Sequence, residues 1–307
     1  MRIVFFGTPD FAVPSLEALV AAHHTIVFAV THPDRPRGLS RSTPVPPPVK
    51  ARAESFAIPV LQPERPRGES FEAALREARA NLGVVVAYGH ILKPEVLAIP
   101  RLGMINVHAS LLPAWRGAGP IQAAIAAGDS TTGVTIMQME AGLDSGPAIL
   151  TRALPIRAGE TTGDLTPRLA RLGAEALIEA VDLLDRGDAT FTVQDHASAS
   201  YAPKVTRQSA RIDWTAPAVS VANRIRAFDP APGAWTSTGG SEVKLFRPEI
   251  IAGEGVPGTV LSVAPTLTVA AGDGAVAIGE VQPSGRSRMG AAAWLRGNPI
   301  APGDRLT

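Results

Sequence analysis

Apolar and polar positions in the first half of the chain alternate between two periods. Residues 3–6 and 25–30 are short apolar or β-branched runs, which favour strands, whereas residues 13–22 carry apolar side chains at helical spacing. Residues 82–87 form a continuous apolar run, typical of a parallel strand covered on both faces. The same periods predict helices over 69–80, 94–98, 119–127 and 161–186, and strands over 104–107 and 133–139. This alternation predicts a doubly wound, Rossmann-like α/β domain with ligands at the carboxyl ends of its strands.

The pattern changes beyond residue 187, where short β-rich runs are separated by glycine and proline. These runs cover residues 242–246, 258–263, 266–270 and 275–281. Such runs favour a small β-barrel, although other small β architectures fit the same spacing. The stretch that connects the two patterns is polar and mixed. We therefore expect an α/β domain over 1–187, a linker over 188–208 and a small β domain over 209–307.

Three polar residues of the first domain suit acyl transfer to an amine. Asn106 and His108 lie at the end of one predicted strand, and Asp144 lies in the Gly-Leu-Asp-Ser-Gly run at 142–146. An amide and an imidazole can donate hydrogen bonds to the oxyanion that forms when an amine attacks an acyl carbon. A carboxylate can orient the imidazole, or take the proton of the amine through a water. Alone, His108 would fit a core histidine and Asn106 a strand-end cap, but the combination favours catalysis.

Composition and length describe an ordinary globular protein. The 307 residues suffice for two domains, 45% of them are hydrophobic, and the net charge is +1. No run of eighteen apolar residues could span a bilayer, and the N-terminus enters a strand instead of a signal sequence. We therefore expect a cytoplasmic protein that does not use a membrane. High Ala, Arg and Pro usage favours a bacterial source.

Several kinds of site are excluded or disfavoured. The chain has no cysteine, which excludes disulfides, thiolate metal sites and a cysteine nucleophile. The histidines other than His108 lack metal-ligand spacing to nearby acids, so we expect no metal site. Gly7 is the one glycine in the turn after the first strand, where a dinucleotide fingerprint needs three. This turn therefore argues against a nicotinamide site.

Residues 35–52 form a basic segment without a single acid. Proline, serine and glycine separate its charges, so we expect a mobile loop with no regular element. A short run of charges is usually a solvated face, and this segment alone does not identify a ligand. Its basic residues are Arg35, Arg37, Arg41, Lys50 and Arg52.

The chemical motifs together resemble the formyltransferases that use 10-formyltetrahydrofolate. The resemblance rests on the Asn-x-His-x-Ser-Leu-Leu-Pro run at 106–113 and on the distant Asp144. Further matching segments extend it over nearly the full length, towards the members that act on methionyl-tRNA. These segments are residues 3–11, 31–36, 134–139 and 210–214.

The resemblance implies an activity, a cosubstrate and a partner. It implies transfer of the formyl group of 10-formyltetrahydrofolate to the free amino group of methionyl initiator tRNA, with Asn106, His108 and Asp144 as catalytic residues. It also implies an OB-like barrel that binds tRNA in the C-terminal part. The implied folate-binding residues are Val86, Ala87, Tyr88, Gly89, Ile91, Leu92, Ser110, Leu111, Leu112 and Pro113. The implied substrate- and tRNA-binding residues are Phe11, Pro14, Arg35, Arg37 and Arg41.

Structural roles and other activities also fit these residues. Leucines of the implied folate segments would also fit a core, and Phe11 and Pro14 would also fit packing between a loop and a helix. Three other activities stay open: formylation of glycinamide ribonucleotide, formylation of a sugar nucleotide, and RNA binding without catalysis. The first of these enzymes is normally a single domain, so the C-terminal hundred residues argue against it. We expect a monomer, because no exposed apolar helix pair stands out in the sequence.

Overall fold

The computed structural model describes residues 1–36 and 44–307, and these residues form two compact units. The first unit comprises Met1–Pro120, Thr131–Pro155 and Thr166–Tyr201. The second comprises Ile121–Ser130, Ile156–Leu165 and Ala202–Thr307.

A twisted sheet forms the centre of the first unit. The first strands along the chain are β1 (Arg2–Gly7), β2 (Thr25–Val30), β3 (Arg35–Pro36), β4 (Pro44–Val45), β5 (Val60–Leu61), β6 (Leu82–Val86), β7 (Met104–His108), β8 (Arg116–Gly117), β9 (Thr131–Gln138) and β10 (Ala148–Pro155). Among the described residues, the strand order of the sheet is β10-β9-β7-β6-β1-β2-β5. The five strands from β7 to β5 are parallel, whereas β9 runs antiparallel to β7, and β10 antiparallel to β9. The doubly wound α/β prediction is confirmed.

The helices of the described residues follow the predicted periodicity, with three additions. All five residues of β6 are buried, as expected for a strand covered on both faces. The helices are α1 (Val13–Ala21), α2 (Pro48–Ser55), α3 (Glu69–Glu77), α4 (Pro94–Leu97), α5 (Pro120–Ala127), α6 (Thr162–Arg186), α7 (Ala218–Ala227) and α8 (Ala291–Leu295). The sequence pattern did not predict α2, α7 and α8, nor the edge strands β5 and β10.

The core of the first unit contains an aromatic cluster beside β1. The ring of Phe6 makes edge-to-face contacts with Phe71 and Tyr88, at centroid separations of 6.4 and 5.4 Å. Such pairs are worth about 0.5–1.5 kcal/mol beyond the apolar area they bury. Val4 and Val85 are buried in the same cluster, so β1 and β6 pack against a shared apolar core.

The second unit is built on an antiparallel sheet. Its strands are β12 (Trp235–Thr238), β13 (Ser241–Ile251), β14 (Val260–Ser262), β15 (Leu267–Ala270), β16 (Ala275–Pro283) and β17 (Met289–Gly290). Their order is β12-β13-β16-β15-β14, with β17 paired to β16, whereas β11 (Tyr201–Ala202) pairs with β8. The sheet curls into a half-barrel, which confirms the prediction of a small β domain. Trp214, Ile225 and Leu245 are among the buried residues of its core.

The expectation that residues 35–52 lack regular structure is wrong where these residues are described: β3 pairs antiparallel with β4, and α2 covers Pro48–Ser55. The helix α2 begins at Pro48, because proline fits the first turn of a helix, where its missing N–H is not needed. Val49 and Ala53, spaced four apart, are fully buried and give this helix an apolar face. Acids outside the segment pair with its cations: Lys50 contacts Asp34, and Arg52 contacts Glu17, each at 2.7 Å.

Candidate active site

A histidine and an aspartate meet at the carboxyl end of β7. His108 is the last residue of β7, and Asp144 lies in the loop between β9 and β10. Nδ1 of His108 is 3.6 Å from Oδ2 of Asp144, and the two side chains are only 5% and 16% exposed. Because β9 runs antiparallel to β7, the loop after β9 starts beside Ile105, where Gln138 pairs, and Asp144 reaches back from there to the end of β7.

Asn106 shares a face of β7 with His108. Residues two apart on a strand point to the same side of the sheet. Asn106 pairs with Val85 of β6 and with Met137 of β9, and its side chain is half-buried. The structure therefore places the amide of Asn106 on the same face of β7 as the imidazole of His108, two residues before the end of the strand.

The two ring nitrogens of His108 face different acceptors. Nε2 lies 2.9 Å from the carbonyl oxygen of Trp115. A carbonyl oxygen only accepts hydrogen bonds, so Nε2 carries a hydrogen and donates it. Nδ1 is then the nitrogen that faces the carboxylate of Asp144. In this geometry a positive charge on the imidazole would lie beside a neutralising negative charge.

The loop that carries Asp144 is tightly held. The backbone N–H of Gly117 donates to Oδ2 of Asp144 at 2.8 Å, and Asp144 has a φ of 48°, which is uncommon for a residue with a Cβ. A Cβ on Gly146 would overlap the carbonyl oxygen of Gln138 at the end of β9. Glycine at 146 is therefore required by this close approach between the loop and the strand.

The Ser-Leu-Leu-Pro run after β7 is fixed by Thr135. The hydroxyl of Thr135 donates to the carbonyl oxygen of Ser110 at 2.8 Å and accepts from the N–H of Leu112 at 3.1 Å. Ser110 is fully buried and donates its own hydroxyl to the carbonyl oxygen of Ala114. Leu111, Leu112 and Pro113 remain half-buried. Apolar side chains thus stay partly open to solvent on a rigid backbone.

The segment after β6 alternates buried and exposed residues. Val86, Tyr88 and Leu92 are buried, whereas Ala87 and Gly89 are exposed and have φ values of 47° and 83°. Ile91 of the same segment is 89% exposed, which is unusual for an isoleucine. The hydroxyl of Tyr88 is buried with no hydrogen-bond partner among the described residues, and burial raises its pKa. Exposed backbone and an exposed apolar side chain are therefore available beside an unsatisfied polar group.

The residues expected to contact the acceptor substrate lie elsewhere on the first unit. Phe11 is in a short 3-10 turn and Pro14 is in the first turn of α1, and both are half-buried. Arg35 is exposed on β3. Arg37 and Arg41 lie outside the described residues.

A second polar network lies at the carboxyl ends of β2 and β5. Lys50 donates to Asp34 at 2.7 Å and to Gln62 at 2.9 Å, and Gln62 donates to Asp34 and to the carbonyl oxygen of His32, each at 2.7 Å. The hydrogen bond from Lys50, then that from Gln62, lowers the pKa of Asp34. The ring of His32 lies 4.4 Å from the ring of His90, centroid to centroid. Burial lowers the pKa of His32, and His90 lowers it further.

Sequence reasoning missed the groups that hold the His–Asp pair in place. The carbonyl of Trp115 and the N–H of Gly117 are backbone groups, which no residue type announces. Gln194, in the polar stretch after α6, contacts the backbone of Asp144 and lies in a stretch with no periodic pattern. None of the three carried a sequence signal.

Two further properties concern metals and membranes. Within residues 1–36 and 44–307, no group of three or more His, Cys, Asp or Glu side chains could hold a metal ion. In the same part of the chain, every helix is too short or too polar to cross a bilayer.

Comparison with known families matches most of the chain. The family model described as formyl transferase matches residues 1–181, and the model described as formyl transferase, C-terminal domain, matches residues 204–299.

Individual proteins are similar over the full length. The chain is 48% identical to a methionyl-tRNA formyltransferase of Jannaschia sp. (strain CCS1) and 47% identical to one of Ruegeria pomeroyi, with complete coverage of all the chains. Among solved structures, HypX from Aquifex aeolicus in complex with tetrahydrofolic acid aligns with a TM-score of 0.67 at 20% identity. That alignment covers all of this chain and 50% of HypX, and it supports the fold alone.

Proposed function

This chain belongs to the formyl transferase family, and we propose that it transfers the formyl group of 10-formyltetrahydrofolate to the free amino group of methionyl initiator tRNA. The observation that carries the proposal is the buried His108–Asp144 pair, with Asn106 on the same face of β7. Relatives that are 47–48% identical over the whole chain bear the name of this activity.

In the proposed reaction, Asn106, His108 and Asp144 stabilise one developing negative charge and accept one proton. The amine nitrogen forms a bond to the formyl carbon, the bond from that carbon to N10 of the folate breaks, and the amine's proton is finally carried by N10. Asn106 and the charged imidazole of His108 donate to the oxyanion that develops on the formyl oxygen. The carboxylate of Asp144, directly or through a water, accepts the proton of the amine. The Asp144 carboxylate stabilises the charged imidazole.

The residues expected to hold the folate fit a flat, amphipathic ring. Leu111 and Leu112 offer partly open apolar surface on a rigid backbone, and Ile91 is nearly fully exposed. The exposed backbone of Ala87 and Gly89 offers hydrogen-bonding groups for a pterin edge. The chemistry supplied by the bound folate is an activated formyl group on N10.

The proposal divides the contacts with tRNA between two regions. Arg35, together with Arg37 and Arg41, would contact phosphates, which give affinity and register but no base specificity. Residues 1–187 would be the catalytic domain and residues 209–307 the tRNA-binding domain, joined by 188–208. The second domain carries exposed arginines, among them Arg211 and Arg286, in support. We further propose a cytoplasmic monomer, to be checked by light scattering of the purified protein.

The first experiment follows labelled formyl from 10-formyltetrahydrofolate to three amines in parallel. These are methionyl initiator tRNA, glycinamide ribonucleotide and an amino-sugar nucleotide. We expect label only in formylmethionyl-tRNA. Transfer to a small amine alone would keep the chemistry and reject the RNA substrate, whereas tRNA binding without any transfer would reject the enzyme.

A further inference from the structure

A buried glutamine outside the catalytic trio holds the loop that carries Asp144. Gln194 follows α6 and is 6% exposed. Its Nε2 donates to the carbonyl oxygen of Asp144 at 3.0 Å and to that of Gly146 at 2.7 Å. Both hydrogens of the side-chain amide are therefore committed to the backbone of this one loop.

The oxygen of the same amide is fixed from the other side by Arg116. Oε1 of Gln194 accepts from Nε of Arg116 at 3.1 Å and from Nη2 at 2.7 Å. Arg116 is 4% exposed, and its Nη2 also lies 3.0 Å from Nδ1 of His196. All four hydrogen-bonding positions of the amide are thus occupied, which fixes its orientation. The positive guanidinium also polarises the amide and strengthens its N–H donors.

The residues on either side of this arginine touch the His–Asp pair directly. The carbonyl oxygen of Trp115 accepts from His108, and the N–H of Gly117 donates to the carboxylate of Asp144. Together with Gln194, the segment 115–117 therefore closes a ring of contacts around the pair. Movement of Gln194 would therefore displace the groups that hold the side chains of His108 and Asp144.

We propose that Gln194 is a positioning residue for formyl transfer, which keeps the Asp144 carboxylate aligned with His108 and does not touch the reactants. This inference rests on the proposed function of the trio. Asp144 has a φ of 48°, a conformation that persists only where the surroundings hold it. The two hydrogen bonds from Gln194 restrain the carbonyls of this turn. Misplacement of a catalytic group by about 1 Å can cost about 100-fold in rate.

The first test compares Gln194→Ala with Val193→Ala. Val193 is the preceding residue of the same segment, and its 77% exposure makes it a matched control. We expect Gln194→Ala to lower kcat by about 10- to 100-fold, since the carboxylate loses its alignment. The KM values for the folate and the acceptor should change less than about threefold, because the glutamine contacts neither. Val193→Ala should behave as the unmodified protein.

A double-mutant cycle separates positioning from general stabilisation. If Gln194 acts through Asp144, its substitution should cost less than about threefold in kcat when Asp144→Asn is already present. A structural role would cost the same in both backgrounds. Gln194→Glu keeps an oxygen that accepts both hydrogen bonds from Arg116 but loses the N–H donors to the loop. We expect it to show the same fall in kcat, so it replaces Gln194→Ala if the alanine variant does not fold.

A readout independent of turnover keeps this inference distinct from the proposed function. Gln194→Glu should speed hydrogen exchange of the Gly117 amide, which is protected by the carboxylate of Asp144. Unchanged exchange at Gly117, an unchanged kcat, or equal losses in both backgrounds would each overturn the positioning role. If methionyl-tRNA is not the acceptor, the proposed substrate fails, while the exchange measurement still decides the role of Gln194.

Discussion

Two polar networks lie at the carboxyl edge of the same sheet and differ in how their imidazoles are satisfied. In the first, here called the His108 network (His108, Asp144, Gln194 and Arg116), both ring nitrogens of His108 face an acceptor. In the second, the His32 network (His32, Asp34, Lys50 and Gln62), Nε2 of His32 is buried without a hydrogen-bond partner among the described residues.

The pairing in the His108 network suits proton transfer, whereas the pairing in the His32 network suits a structural role. The carboxylate of the His108 network stands next to a ring nitrogen at 3.6 Å, and it can balance a charged imidazole. The carboxylate of the His32 network is instead committed to Lys50, and burial, then His90, lowers the pKa of His32 and so disfavours its charged form. If the His108 network is catalytic, as we propose, the pairing of charges distinguishes it from the His32 network at the same edge of the sheet.

The largest effect is expected from breaking the His108 network at its imidazole. His108→Ala should lower the single-turnover rate of formyl transfer by about 10²- to 10³-fold, because the developing charge loses a stabilising partner. Binding of the tRNA, measured by filter retention, should stay within about twofold. His23→Ala, at an exposed site, is the control. A His108→Ala protein with normal single-turnover rates would remove His108 from the mechanism.

A glycine substitution tests the loop of the same network. Gly146→Ala places a Cβ on the backbone oxygen of Gln138, which cannot move without distorting β9. We expect a loss of about 1–3 kcal/mol in the free energy of unfolding and a fall in kcat of about 100-fold. Gly142→Ala is the milder control, because its Cβ would meet only the side chain of Ser145: the hydroxyl can rotate away, and the Cβ of Ser145, 3.2 Å away, has to shift by a few tenths of an ångström. Equal effects of the two substitutions in urea unfolding and kinetics would contradict this account.

A smaller effect is expected from breaking the His32 network at its cation. Lys50→Met removes the hydrogen bond that contributes most to the lowered pKa of Asp34. The pKa of Asp34 should then rise towards its ordinary value, as read from an NMR titration of its carboxyl carbon. The value of kcat should stay within about twofold, since this network holds no reacting group. Arg52→Met, which breaks a contact with Glu17, should leave Asp34 unchanged.

The smallest effect concerns pH and His32. Burial and the nearby His90 and Arg35 lower the pKa of His32 in the folded protein, whereas Tyr88 and Glu64 act in the opposite direction. The unfolded chain therefore binds this proton first, and stability falls as the pH drops below about 6.5; above that value His32 contributes no pH dependence.

His32→Gln should accordingly narrow the difference between the melting temperatures at pH 7.5 and pH 5.5. Some difference should remain, because burial, then the N-terminal charge, also lowers the pKa of His24. His23→Gln, at an exposed site, should leave the difference as it is. A His32→Gln protein as sensitive to acid as the parent would show that His32 does not titrate in this way.

Much of the fold could be predicted because its signals are local. The strand at Thr25–Val30 has the predicted bounds, since β-branched and apolar residues run without interruption there. Helix α3 ends at Glu77, before the predicted residue 80, and Arg79 has a φ of 46°, which no periodic pattern announces. The pattern does not predict helix α2, because its prolines are typical of loops, although proline is also accepted in the first turn of a helix.

The roles of the site residues remain predictions, and their placement divides into two kinds. The sequence alone determined that Asn106 and His108 share a face, because the period of a strand is a local property. Their approach to Asp144, and the support from Gln194, were decided by tertiary structure: β9 turns antiparallel beside β7, and the chain returns after α6. Contacts between residues far apart in sequence depend on which strands become neighbours, and burial of the whole sheet sets that choice.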